Sequence, residues 1–340
     1  MSTTGHGVRV GAIGLAHPHA FGQAKALVAA GASIVALHAS DEERSAEFMQ
    51  SFAVARRVAE LAAVLEDDRI DLVLVATAPD TRAGLAALAM RHGKDVLIAK
   101  PAAISLDQLA MLQRVQQQTG RILSVWFSER FAVRAATRAS ELVAAGAIGR
   151  GVHTAGLGPH RVGGAPRPDW FFDASRHGGI LCDIGSHQTE QFLHYTGTTR
   201  AEVVSALVAH HGHREHKGFE DFGEMMLRGD GCSGQARVDW LSADGLPTWG
   251  DGRLTLLGTE GHIELRKYVD PAGRPGGDHL FLVDATGTRH VDCRDAPLPF
   301  AQRLLADVRW RTETAMPQAH CLLAIELALR AQAMAAKAST

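Results

Sequence analysis

Between Val8 and Trp126 the sequence alternates short apolar runs with segments of helical periodicity, and this alternation limits the fold more than any other feature. Val8–Gly14 reads as a strand and Pro18–Ala30 as a helix, with Pro18 near the first helical turn, where a missing N–H costs nothing. Further strands fall at Ser33–His38, Asp71–Ala76, Val96–Ala99 and Ile122–Trp126, separated by helices at Asp41–Phe52, Asp80–Arg91 and Ser105–Gln118. Strands so uniformly apolar have both faces buried, which calls for a parallel sheet with helices on either side. The expectation is an α/β chain whose first domain, residues 1–126, is a doubly wound parallel sheet.

The pattern changes after residue 126. A helix at Ala132–Ala145 leads to a Gly/Pro-rich segment, Gly156–Pro168, read as a loop, and to the aromatic run Trp170, Phe171, Phe172. Helical spacing returns at Ser186–Tyr195. From Glu202 to His290 the pattern is mostly β, with strands at Arg237–Leu241, Arg253–Leu257, His262–Leu265 and Leu280–Val283. A helix at Ala319–Ala336 closes the chain and is expected to pack back on the first domain. Residues 127–340 are thus read as a second, α+β domain with a mixed or antiparallel sheet. At 340 residues the chain exceeds what one hydrophobic core usually organises, in keeping with two domains.

Composition narrows the function classes. A net charge of −2, with no basic stripe, argues against nucleic acid as a partner. Met1–Gly7 is short and polar, unlike a leader, and the apolar runs read as strand-sized, below the roughly 18 residues of a membrane span, so no membrane partner is expected. Cys182, Cys232, Cys293 and Cys321 are scattered singly, without the spacing of a disulfide framework or a thiolate zinc site, which fits a reducing cytoplasmic setting. No metal is assigned.

A strand, a glycine turn and a helix N-terminus form an anion site, because unpaired N–H groups and the helix dipole favour a pyrophosphate. Here the turn runs from Gly14 through Ala16 and His17 to His19. Of the three glycines in a G-x-G-x-x-G fingerprint only Gly14 is present; Ala16 and His19 hold the other two places. No acidic residue ends the second strand: Ser40 stands where a ribose or a 2′-phosphate would come, with Asp41 close enough to substitute. A rival reading takes His17 and His19 as metal ligands of a barrel hydrolase, with Lys100 bridging.

Two further segments carry a family resemblance. Asp71–Thr81 (DLVLVATAPDT) followed by Gly93–Pro101 (GKDVLIAKP) resembles the Gfo/Idh/MocA pattern of a strand ending in A-T-x-P and then G-K-x-V-x-x-E-K-P. Lys100-Pro101 matches; Ala99 replaces the usual Glu, and Arg82 and Gly84 lie near the position of the usual His. Gly178–His187 (GGILCDIGSH) resembles the family's G-G-G-x-L-x-D-x-G-x-H segment, and Glu141–Gly149 its helix and I-G turn. The resemblance extends from about Val8 to Tyr195. It implies an N-terminal Rossmann domain, a C-terminal domain with a large open sheet, NAD or NADP as cofactor, and a small-molecule substrate of the sugar or polyol kind. The cofactor would be held by Gly14, Ala16, His17, His19, Ser40, Thr77, Pro79 and Lys100.

By the same resemblance, His187 is the base, Asp183 its modulator and Lys100 the group that holds the substrate oxygen, all three converging on one cleft. The chemistry is coherent: a carboxylate raises the basicity of an imidazole, and an ammonium steadies negative charge developing on a carbinol oxygen. The segment Pro159–Trp170, with His160, Arg161 and Trp170, is expected to form a substrate lid. His210, His211, His213 and His216 are dense enough to consider for metal but read as a solvated loop. The sheet face carrying Trp240, Trp249 and the strands from Arg237 to Leu265 is expected to be covered in a homodimer or homotetramer. The function read from the sequence is NAD(P)-dependent oxidation or reduction at a carbinol or carbonyl carbon. The alternatives are a nicotinamide-retaining lyase or hydrolase, a non-catalytic binding module, and a zinc hydrolase.

Overall fold

The computed structural model describes residues 7–163 and 167–338. Its contacts divide the chain into two compact units, one of residues up to Trp126 together with Pro299–Leu322, the other of Phe127–Leu298 together with the chain from Leu323 onward.

In the first unit β1 (Arg9–Ile13), β2 (Ser33–His38), β3 (Leu72–Val75), β4 (Asp95–Ala99) and β5 (Leu123–Trp126) form a five-stranded parallel sheet in the order β2-β1-β3-β4-β5. Helices α1 (His19–Ala29), α2 (Glu42–Phe52), α3 (Ala62–Leu65), α4 (Pro79–Arg91) and α5 (Leu106–Thr119) supply the crossovers. Every residue of β3, β4 and β5 is buried, as the unbroken apolar runs require. Local chemistry sets the helix ends: Asp41 accepts from the Arg44 N–H to start α2, Ser105 does so from Gln108 to start α5, and Pro79 opens α4 at its first turn. The chain crosses from β2 over β1 to β3, so strand order reverses at β1. That reversal opens a crevice beyond the carboxyl ends of the strands, the usual ligand position in such sheets.

In the second unit α6 (Ser128–Phe131) and α7 (Arg134–Ala144) precede a long strand, β6 (Gly151–Pro159). A 3-10 turn at Asp169–Phe172 and the short helices α8 (Ala174–His177) and α9 (Ile180–Asp183) lead into α10 (Gly185–Thr196). Then come β7 (Ala201–Ala209), β8 (Phe222–Gly229), β9 (Cys232–Asp239), β10 (Arg253–Gly258), β11 (His262–Arg266), β12 (His279–Asp284) and β13 (Gly287–Val291). The eight strands order as β13-β12-β11-β10-β6-β9-β8-β7; β6 and β9 are parallel and the other pairs antiparallel, a mixed sheet. Burial alternates along β8, β9 and β10, the mark of a sheet covered on one face. The covered face packs Leu254, Leu256, Ile263, Leu265, Leu280 and Leu282 against Ala135, Ala136 and Ala139 of α7. The other face leaves Leu207, Met226 and Leu257 exposed.

Several expectations change. The segment Gly156–Pro168 is not a loop throughout: Gly156, Gly158 and Pro159 lie in β6, at the middle of the sheet. Its glycines reflect the close approach of α10, for a Cβ on Gly156 would stand 2.1 Å from Gln188 Oε1. Trp240 does not lie on the open face; it is 6% exposed and packs edge-on to Phe171 and His160. An open sheet in each unit also leaves the hydrolase reading without a barrel. The last helix, α12 (Gln318–Ala338), is preceded by α11 (Phe300–Trp310), to which the sequence reading assigned no element. Only Gln318–Leu322 of α12 cluster with the first unit. By length and composition α12 could cross a membrane, contrary to the strand-sized runs expected. It behaves as a core helix: Ala324, Leu327, Ala328, Ala331 and Ala335 are buried, and the Ala324 carbonyl accepts from Thr189 Oγ1 at 2.8 Å.

The turn between α11 and α12 hangs on one carboxylate. Asp307 accepts from the hydroxyls of Thr312 and Thr314 and from the backbone N–H groups of Thr314 and Ala315 at 2.6–2.8 Å. Burial would raise its pKa, but these donors outweigh burial and hold it below the ordinary carboxylate value. A depressed pKa contributes stability that is complete above the unfolded-state value and is lost as pH falls through the folded one. Asp307→Asn should therefore lower the melting temperature at pH 7, by roughly 1–3 kcal/mol of stability. Thermal melts of both proteins should show that gap narrowing only below about pH 4.

Candidate functional site

The first unit places a cavity of about 670 Å³ at the crevice where strand order reverses. Gly14 and Ile13 at the end of β1, His38, Ala39 and Ser40 at the end of β2, and Thr77 after β3 border it, with Glu42, Arg57, Val58, Ala59 and Leu85 completing the rim. Three of the residues assigned to the cofactor, Gly14, Ser40 and Thr77, thus border one cavity. Gly14 has φ +78°, and a Cβ there would lie 2.3 Å from Thr77 Cγ2 and 3.0 Å from the Thr77 backbone. Its N–H donates to the His38 carbonyl at 2.8 Å, so one residue ties the ends of β1, β2 and β3 together.

The rest of the turn follows from the two missing glycines. Ala16 donates its N–H to the Ala76 carbonyl at 3.0 Å, and His17 Nδ1 accepts from the His19 N–H at 3.1 Å, its ring 4.0 Å from that of His19. No acidic residue occupies the first turn of α1, which leaves the positive end of its dipole uncancelled by side chains. Asp41, weighed above as a ribose acceptor, is instead the N-cap of α2, its Oδ1 2.9 Å from the Arg44 N–H.

Arg82, noted in the sequence only for its place near the family's usual His, has a structural role. It is fully buried on α4, and its Nε donates to the Thr77 carbonyl at 2.8 Å while Nη1 donates to the carbonyls of Lys100 at 2.5 Å and Pro101 at 3.2 Å. One guanidinium thereby fixes the backbone of both the Thr77 turn and the Lys100-Pro101 turn, where the peptide bond is cis. A planar fork of donors suits three converging carbonyls, as a single ammonium does not. Lys100 itself is 4% exposed at the end of β4.

The second unit assembles a different set of polar groups. Asp183 ends α9, and His187 follows in the first turn of α10, buried, its ring edge-on to Phe127 at 6.0 Å. Arg167 and His177 both feel the Asp183 carboxylate: burial lowers the pKa of each, and Asp183 opposes the shift. His177 accepts the Gly179 N–H at its Nδ1, and its Nε2 is buried without a hydrogen-bond partner. Beside His187 lies a fully buried ion pair that sequence reasoning also missed. Lys267 Nζ meets Glu129 Oε2 and Gln191 Oε1, each at 2.7 Å, and Gln188 Nε2 donates to the same carboxylate oxygen at 3.1 Å. Burial would raise the Glu129 pKa; Lys267 above all, with the nearby His187 and His160, brings it down to about 2.

The expected lid is anchored where it is described. His160 is buried, with its ring 5.2 Å from Trp240 and 4.7 Å from Trp249, and Trp170 is packed on Phe171. The Arg167 guanidinium lies over Phe171 and Trp240, and Arg161 donates to the carbonyls of Asp244 and Leu246. Residues 164–166 of that segment lie outside the described residues. The histidine-rich loop is likewise committed: His210 Nδ1 pairs with the Phe219 carbonyl, His213 Nε2 with that of Trp240, and His216 stacks on Phe172 at 3.4 Å. Among the described residues no group of three or more His, Cys, Asp or Glu side chains is placed to hold a metal ion.

Comparison with known proteins sets this geometry in context. The sequence model of the oxidoreductase family with an NAD-binding Rossmann fold matches residues 8–127, and that of the GFO/IDH/MocA C-terminal domain matches residues 136–264. The chain belongs to the Gfo/Idh/MocA oxidoreductase family. A crystal structure described as an oxidoreductase from Erwinia carotovora atroseptica is 45% identical, superposes with a TM-score of 0.93, and shares 96% of this chain and 98% of its own. Scyllo-inositol 2-dehydrogenase (NAD(+)) of Bacillus subtilis is 28% identical over 232 residues, 66% of this chain and 61% of that enzyme. 1,5-Anhydro-D-fructose reductase of Ensifer adhaerens is 27% identical over 58% of each chain. The alignments thus span about three-fifths of these curated relatives' length.

The buried pair makes a test of the second unit. Lys267→Met leaves the Glu129 carboxylate buried without its cation and should cost about 3–5 kcal/mol in denaturant unfolding. Lys267→Met with Glu129→Leu should recover much of that loss, since an apolar pair of similar volume avoids the uncompensated charge.

Proposed function

We propose that this protein is an NAD(P)-dependent dehydrogenase or reductase acting at a carbinol or carbonyl carbon of a sugar-like or polyol-like small molecule. The observation that carries the reading is the cavity at the ends of β1, β2 and β3, floored by the positive-φ Gly14, in a chain whose two family matches cover both units. Gly14, Ser40 and Thr77 fit the adenosine half of a dinucleotide, and Ala16, His17 and His19 at the N-terminal turn of α1 are assigned to its pyrophosphate, where the positive end of the helix dipole favours an anion. Pro79 and Lys100 are assigned to the nicotinamide end. When bound, the nicotinamide accepts or returns a hydride.

The protein's own groups then handle the proton and the charge. In the oxidative direction the carbinol C–H bond breaks as its electron pair leaves with the hydride, while the hydroxyl proton passes to neutral His187 and the carbonyl forms. Lys100 holds the oxygen and offsets its developing negative charge. Asp183 favours the protonated imidazole and is assigned as its modulator. His160, Arg161 and Trp170 remain assigned to the substrate side, His160 and Trp170 as rigid walls. We place the protein in the cytoplasm as a homodimer or homotetramer: the exposed Leu207 and Met226 line a shallow 360 Å³ hollow with Glu224 and Arg237 on the open sheet face, a surface suited to a second copy of itself.

Turnover on a panel of inositols and sugars, followed through reduced nicotinamide, tests the reading. Lys100→Met or His187→Asn should lower kcat by roughly 10²–10⁴-fold while leaving dinucleotide affinity nearly intact. Near-normal turnover in both variants would remove these residues from the mechanism. Light scattering should report a dimer or tetramer that Met226→Glu weakens; a monomer at micromolar concentration would contradict the assembly.

A further inference from the structure

The cavity of the first unit lacks the carboxylate that normally closes such a site. Where β2 ends, the residues are His38, Ala39 and Ser40, none of them acidic, although an acid at this place ordinarily accepts the ribose hydroxyls. Asp41 is turned away, as the cap of α2, with its second oxygen 3.7 Å from the Arg44 guanidinium. The next residue, Glu42, borders the cavity, and so does Arg57. Arg57 reaches this rim because the chain after α2 pairs with β2 in parallel, Leu37 bridging to Arg57 itself. Its Nη2 donates to the Ala39 carbonyl at 2.9 Å and its Nη1 to Glu42 Oε2.

Granted the dinucleotide reading proposed above, on which this rests, we infer that the cavity accepts NAD and rejects NADP, with Glu42 as the ribose acceptor that decides between them. The hydrogen bond from Arg57 and its positive charge hold the Glu42 carboxyl below its ordinary pKa, so it stays an acceptor across the working range of pH. One of its oxygens receives Arg57; the other is open to a donor. A ribose 2′-hydroxyl is such a donor, and a carboxylate accepting it makes a charge-assisted bond. A 2′-phosphate brings about two negative charges and no donor at neutral pH. It would meet the Glu42 carboxylate at the cavity rim, where the one arginine among the lining residues, Arg57, is already paired with that carboxylate. Arg57 could take the phosphate only by releasing Glu42, which would then stand as an unpaired anion beside it. Rejection therefore comes from a placed like charge as much as from the attraction offered to the hydroxyl.

The test is calorimetric titration of the full-length protein with NAD and NADP, for the parent and for Glu42→Gln and Arg57→Gln. The Glu42 side chain is 82% exposed, so its replacement leaves the fold intact. The parent should bind NAD roughly 10- to 100-fold more tightly than NADP, the equivalent of one charge-assisted hydrogen bond and its loss. Glu42→Gln should shrink that ratio by about tenfold or more, chiefly by improving NADP. Arg57→Gln should leave NADP the poorer ligand. NADP binding as tightly as NAD in the parent, an unchanged ratio in Glu42→Gln, or an Arg57→Gln protein that loses NADP alone would each overturn the inference while leaving the dinucleotide reading standing. Binding of neither dinucleotide by the folded parent would overturn that reading, and this one with it.

Discussion

The contact between Gly14 and Thr77 is the point on which the first unit turns. Three strands end there, and the backbone of one must pass so close to another that no side chain fits between them. The Gly14 N–H then reaches the third strand through the His38 carbonyl. Because β2 and β3 lie on opposite sides of β1, nothing crosses the crevice above this knot, and the cavity opens there. Lysine placement depends on the same region at one remove. Arg82 spans from Thr77 to the Lys100-Pro101 turn, so the backbone carrying Lys100 is set relative to the cavity floor by one buried guanidinium. The family pattern has a His near this position and a Glu before the Lys. Here both are absent, and Arg82 supplies the backbone hydrogen bonds of that turn.

The second unit is organised by α10, buried along nearly its whole length. A helix buried all round must satisfy its polar side chains internally, and this one does so through its neighbours. Gln188 and Gln191 share the Glu129–Lys267 pair, Glu190 pairs with Arg130, and Thr189 bonds to α12. His187 stands at the start of that network. The imidazole assigned as base is therefore carried on a helix locked by polar contacts and by the β6 glycines that let it approach the sheet, a rigid mounting of the kind proton transfer benefits from.

Much of this was legible in the sequence. The apolar runs such as Asp71–Ala76 could only be strands buried on both faces, and the order of motifs around Lys100 and His187 carried the family. Other parts were not legible for identifiable reasons. The end of β6, from Gly156 to Pro159, read as a loop because its glycines are there for the approach of α10, a partner distant in sequence. Trp240 was placed on the open face because two-residue alternation tells which residues share a face but not which face is covered.

What the sequence determined alone was the class of fold, since periodicity and motif order are local properties of the chain. What only the tertiary structure decided was how polar groups are spent. Asp41 caps α2 by a local preference of its short side chain, but that Glu42 faces the cavity beside Arg57 follows from the pairing of the chain after α2 with β2. Arg82, Glu129 and Lys267 look like ordinary surface charges in the sequence, and all three are buried. A charge acquires its role from the partners that compensate its burial, and those partners lie up to 138 residues away along the chain.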